Sequence, residues 1–279
     1  MPDLSVLVLV AFVLLGWAVF FGLQHWHRRR RASMRRASLP QPWIEILERE
    51  VPLYRRMPDE LRAELRGLVN LFLAEKSFVG YAGLAVTDEM RVVIAGNACV
   101  LLVGGHAEFF EGFRNILIYP ETYVVPHVHH DGDVVTEGYV TNAGESWHAG
   151  PLVLAWSEVR RGLEHPDDGN NVVIHEFAHK LDEQNDAVDG LPVLRDKAHY
   201  DSWARVLTRE FADLVERVEA RSNTVLDSYG ATSPPEFFAV ATETFFERGR
   251  LMQEKLPELY EELRKFYDVD PASWAAPEQ

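Results

Sequence analysis

The run His175-Glu176-Phe177-Ala178-His179 constrains this chain more than any other segment. On a helix, residues four apart share a face, so both imidazoles can grip one ion while the glutamate between them points at a metal-bound water. Asn170-Asn171 offers a helix cap, and Val172, Val173, Ile174, Phe177, Ala178 and Leu181 supply a broad apolar surface that buries the segment. A buried helix whose histidines simply bond to backbone is the plainer reading of a lone histidine. The pair with its intervening carboxylate favours zinc.

At 279 residues the chain has room for one large domain or two small ones. Leu4 to Leu23 is an uncharged, mostly apolar stretch of 20 residues, which as a helix matches the hydrocarbon core of a bilayer, about 30 Å thick. Trp17, Phe20, Phe21 and Trp26 stand where interfacial aromatics belong, and Arg28, Arg29, Arg30, Arg31, Arg35 and Arg36 follow. The expectation is an uncleaved transmembrane anchor over residues 1–23 and a basic juxtamembrane segment and linker over 24–42. By the positive-inside bias, a peptidase domain over 43–279 then faces the cytoplasm from the inner membrane.

Residues 1–38 hold six of the 28 basic and one of the 43 acidic residues, leaving 22 against 42 in the remainder. So acidic a body argues against nucleic acid as a partner. Cys99 is the single cysteine; neither an intramolecular disulfide nor a thiolate metal cluster can form.

Apolar spacing predicts helices over Trp43–Val51, Pro58–Ser77, Tyr200–Ala220, Pro234–Arg248 and Lys255–Tyr267. Thr87-Asp88-Glu89 starts an apolar run through Val103 that reads as one helix or as two buried strands. Ile116–Tyr119, Thr122–Val125, Val134–Val140 and Leu152–Trp156 are short β-rich segments, read as a small antiparallel sheet. The fold class expected is therefore α+β: a zincin-like metallopeptidase domain with a small sheet and a mainly helical carboxy-terminal half, preceded by one transmembrane helix.

A catalytic zinc takes three protein ligands and keeps one open position, so a third ligand lies outside the motif. The metzincin continuation fails, since Asn185 and Asp182 occupy its histidine and glycine positions, and His199 stands near the place of a thermolysin-like glutamate. Glu236, after Ser233-Pro234-Pro235, is one candidate, although serine followed three residues later by glutamate also makes a capping box with no metal. Glu243 is the rival, as ligand or as the group that orients a histidine. Asp182 and His165 are secondary candidates. His127, His129 and His130, with Asp131 and Asp133, read as a polar loop more readily than as a second metal site.

His175 to Asp182 and the block Asp227-Ser228-Tyr229-Gly230-Ala231-Thr232-Ser233-Pro234-Pro235-Glu236-Phe237-Phe238-Ala239-Val240 closely resemble the Mlc titration factor A family of zinc-dependent peptidases. Ile116–Pro120, Gly144–Trp147 and Gly150–Trp156 match in the same order, so the resemblance covers about residues 43–270. It implies a gluzincin site in which His175, His179 and Glu236 hold Zn2+, Glu176 is the general base and Tyr229 donates to the oxyanion. It also implies a peptide or protein substrate, aminopeptidase-like action and a transcriptional regulator as a further partner. The anchor departs from the family's best-known, soluble form. The competing reading is a membrane-tethered binding module that sequesters a cytoplasmic regulator; Glu176 speaks against it, because a structural zinc has no use for a base.

Overall fold

The computed structural model describes residues 4–105, 109–110, 112–121, 123–131, 134–142, 144–146, 150–185 and 188–275, with side chains except at 4, 6–11 and 123–146. Helices α1 (Leu4–Arg36), α2 (Gln41–Glu50), α3 (Pro52–Arg56) and α4 (Asp59–Glu75) lead into strand β1 (Ser77–Gly80) and helix α5 (Asp88–Val100). Strands β2 (Asn115–Tyr119), β3 (Tyr123–Asp131), β4 (Val134–Asn142), β5 (Gly144–Ser146) and β6 (Leu152–Ala155) follow. The remainder is helical: α6 (Trp156–Glu164), α7 (Val172–Asp182), α8 (Lys197–Glu219), α9 (Pro234–Glu247), α10 (Gly249–Lys255) and α11 (Pro257–Tyr267).

The main sheet runs β1-β2-β6-β5, while β3 and β4 form a separate hairpin. Strands β1, β2 and β6 are parallel, with Phe78 opposite Ile116 and Ile116 opposite Leu152; only β5 is antiparallel, with Gly144 opposite Leu154. The expected antiparallel sheet is thus mixed: helix α5 lies between β1 and β2, and the β3–β4 hairpin with β5 lies between β2 and β6, so no tight turn joins the three parallel strands. β1 went unforeseen, since its residues follow α4 directly and continue that helix's apolar character.

The expected α+β class gives way to a mostly helical molecule with a small sheet. Its physical reason lies largely in α5. Thr87 Oγ1 accepts from Met90 N at 3.2 Å and starts the helix, and the residues from Val92 to Val100 are all buried. A largely apolar run can lie at the centre of a helical cluster instead of in strands, and α5 packs against α2, α4 and α7.

The transmembrane anchor is also overturned: among the described residues no helix is long and apolar enough to cross a membrane, and the single-pass placement in the inner membrane falls with it. The apolar residues Leu4 to Leu23 form the first part of α1. Beyond them α1 continues unbroken through the arginines and docks on α4. Arg31 makes two bonds to Glu75, at 2.7 and 2.8 Å, and Asn70 Nδ2 donates to the Met34 carbonyl at 2.9 Å. Gly67 permits this approach, since a methyl group there would overlap the Arg35 carbonyl. Part of the basic cluster is therefore a tie between helices.

Candidate active site

Helix α7 is fixed at its start and along one face. Asn171 caps it, its Oδ1 accepting from Ile174 N at 3.2 Å. Phe177 is fully buried among Phe110, Phe72 and Phe113, with ring centroids 4.7, 5.6 and 5.9 Å away. Anchoring Phe177 in this aromatic cluster sets the rotation of the helix. His175 and His179, one turn apart, then meet edge to face with centroids 4.9 Å apart along the neighbouring face.

Helix α9 meets that face. Ser233 Oγ accepts from Glu236 N at 3.4 Å, and prolines fill the first two helical positions. Only half of a capping box forms, because the Glu236 carboxylate turns to the histidines. Its Oε2 lies 2.9 Å from His175 Nε2 and 3.3 Å from His179 Nε2, while the two Nε2 atoms are 3.2 Å apart. One donor atom from each of the three residues falls within 4.8 Å of the others. Glu243, two turns further along α9, lies on the other side of His175, with Oε1 2.7 Å from Nδ1. The two glutamates thus divide the ring: Glu236 faces Nε2 and Glu243 holds Nδ1.

Gly190 brings the ends of these helices together. Its N–H donates to the buried Asp182 Oδ2 at 2.8 Å, and a Cβ there would stand 2.6 Å from the Pro234 carbonyl oxygen. With φ at +77° the position also favours glycine. Asp182 therefore fixes the loop after α7 and does not reach either histidine.

The site draws positive charge. Burial by itself lowers the pKa of His175, but Glu243 and Glu236 outweigh it and raise the imidazole well above its ordinary range. Burial likewise pushes Glu236 up, yet the bonds from His175 and His179 pull it down to about 2. Two imidazole nitrogens and a carboxylate oxygen converging on one point form the donor set of a catalytic zinc site, and the set fits a divalent cation.

Glu176 is 5% exposed, and its Oε2 is buried without a hydrogen bond among the described residues. Burial raises its pKa against the opposing pull of His175 and His179. Tyr229 sits in a short 3-10 turn, Ser228–Ala231, where Asp227 Oδ1 accepts its N–H at 2.8 Å. Its ring centroid is 5.9 Å from that of His175, and its side chain is 54% exposed. Partial burial and the charges of Glu236 and Glu176 raise the phenol's pKa, so it stays protonated.

Other candidates stand apart. His165 follows α6 as its exposed carboxy-terminal cap. His199 is buried on α8, 3.5 Å from Glu262. His127, His129, His130 and Asp131 belong to strand β3 instead of a loop, but their side chains, and Asp133, lie outside the described residues. Sequence reasoning missed Glu247 and Asn97, which with Asn171 form a buried polar group behind Glu243. The available signal was a pair of glutamates four apart on the apolar helix α9.

Residues 23–268 match the sequence profile of the glucose-regulated metallo-peptidase M90 family. An uncharacterized protein of Synechocystis is 40% identical over 266 residues, covering 94% of this chain and 97% of its own. Proteins named Mlc titration factor A are similar as well. That of Serratia proteamaculans is 34% identical over 235 residues, covering 82% of this chain and 87% of its own. That of Cronobacter sakazakii is 32% identical over 245 residues, covering 86% and 91%.

Proposed function

Because the chain belongs to the glucose-regulated metallo-peptidase M90 family, we propose that it is a zinc-dependent peptidase whose catalytic unit is built on α7 and α9. The observation that carries this reading is the convergence of His175, His179 and Glu236 within 4.8 Å beside Glu176, whose Oε2 has no hydrogen bond among the described residues. His175, His179 and Glu236 hold the zinc. Bound there, the ion supplies Lewis acidity towards a peptide carbonyl and lowers the pKa of water towards neutrality.

The protein's own groups do the rest. Glu176, made more basic by burial, takes a proton from the attacking water on its buried Oε2 and returns it to the leaving amine. Tyr229, protonated and exposed at the mouth of the site, donates its O–H to the oxygen on which negative charge develops. Glu243 keeps His175 turned, accepting from Nδ1 so that Nε2 faces the centre.

The test is Glu176→Gln. It retains zinc and loses hydrolysis of short amino-acyl chromogenic peptides and of protein substrates; unchanged turnover overturns the mechanism. A second reading, capture of a transcriptional regulator, draws on the relatives named Mlc titration factor A. Full zinc occupancy with no cleavage of any peptide or protein offered would favour it.

A further inference from the structure

We propose that Asn171 and Glu247 are positioning residues that hold the Glu243–His175 pair in register with helix α7, as part of the metal-site reading above. Asn171 is buried, and each of its polar groups has a distinct task. Its side-chain oxygen caps α7 through Ile174 N. Its amide nitrogen donates to Glu247 Oε1 at 3.0 Å and to Asn97 Oδ1 at 3.1 Å. Its backbone N–H donates to Glu243 Oε2, while the other oxygen of Glu243 meets His175 Nδ1. One residue thereby starts the helix that carries both histidines and fixes the carboxylate that orients the first of them.

Glu247 completes the clamp from α9. It lies one turn beyond Glu243, so both carboxylates face the start of α7. Asn97, anchored by its own bond from Nδ2 to the Val93 carbonyl at 3.0 Å, holds the amide from α5. Three helices thus converge on one amide group. A buried glutamate with one oxygen lacking a hydrogen bond among the described residues is costly to keep for packing alone. Burial pushes its carboxyl well above the ordinary range, so it acts as a neutral acceptor. The role requires an oxygen facing Asn171 and no charge.

This separates positioning from helix capping. Asn171→Ser keeps a cap oxygen and the backbone N–H to Glu243 but removes both amide donors. Glu247→Gln keeps a neutral acceptor for Asn171, whereas Glu247→Leu removes it. Zinc affinity of the full chain is measured by competition with a chromogenic chelator, alongside the melting temperature of the metal-free protein. Asn171→Ser and Glu247→Leu should bind zinc about ten-fold or more weakly, and Glu247→Gln should bind like the wild type. Metal-free melting of Asn171→Ser should stay within a few degrees of the wild type, as a retained cap implies. Wild-type affinity in Asn171→Ser, or affinity lost only in step with metal-free melting, overturns the inference. A wild-type chain that binds no zinc overturns the metal-site reading together with it.

Discussion

Glu243 Oε1 lies 2.7 Å from His175 Nδ1, on the side of the ring away from Glu236. A metal-binding histidine gains basicity and a fixed orientation from such a partner, and its loss typically costs 10–100-fold in metal affinity. Glu243→Ala should therefore weaken zinc binding by about that factor, measured by chelator competition. Unchanged affinity would show that packing alone orients His175.

Tyr229 is exposed enough that removing its hydroxyl should leave stability within about 0.5 kcal/mol. If it donates to the developing oxyanion, Tyr229→Phe lowers kcat by about 10²-fold with KM little changed. A change confined to KM would assign the ring to substrate binding.

Asp182 gives the fold a pH dependence of defined sign. Burial, first among its influences and opposed by the Gly190 N–H, raises its pKa from 3.8 to about 6. Between these values the folded chain holds a proton that the unfolded chain has lost, so stability falls as pH rises through this window. The stabilisation is complete below the unfolded pKa and gone above about 6. Asp182→Asn should flatten this part of the curve in urea titrations from pH 4 to 7, and an unaltered slope would exclude Asp182 as its source.

Gly190 couples the two halves of the site. Alanine there meets both a left-handed backbone and the Pro234 carbonyl, a cost of about 2 kcal/mol or more. Because Pro234 opens the helix that carries Glu236, Gly190→Ala should also reduce zinc affinity. Normal affinity after equal destabilisation would mean that the loop and the site are independent.

The aromatic cluster at Phe177 sets how much stability the histidine helix draws from the core. Phe177→Ala, at a fully buried position, should cost about 3–5 kcal/mol in denaturant unfolding. A loss below about 1 kcal/mol would mean that the cluster collapses around the cavity.

The sequence by itself determined the helix α7, because its periodicity, its asparagine cap and its two histidines four apart are all local features. It likewise marked the start of α9, where Ser233 and two prolines define a helix end. Spacing alone left Glu236 and Glu243 open, since both recur at helical spacing on α9; the family resemblance pointed to Glu236, and the crossing of α9 over α7 sets which carboxylate faces Nε2 of His175. The run after Thr87 was ambiguous for the same reason: strands and a fully buried helix share an apolar composition, and only its packing among α2, α4 and α7 decided. Apolar residues followed by arginines suggested a membrane anchor, yet part of that basic cluster is tied to α4 by Glu75 and Asn70, partners 44 and 36 residues away. Local spacing decides which side chains share a helix face; only tertiary packing decides what that face meets.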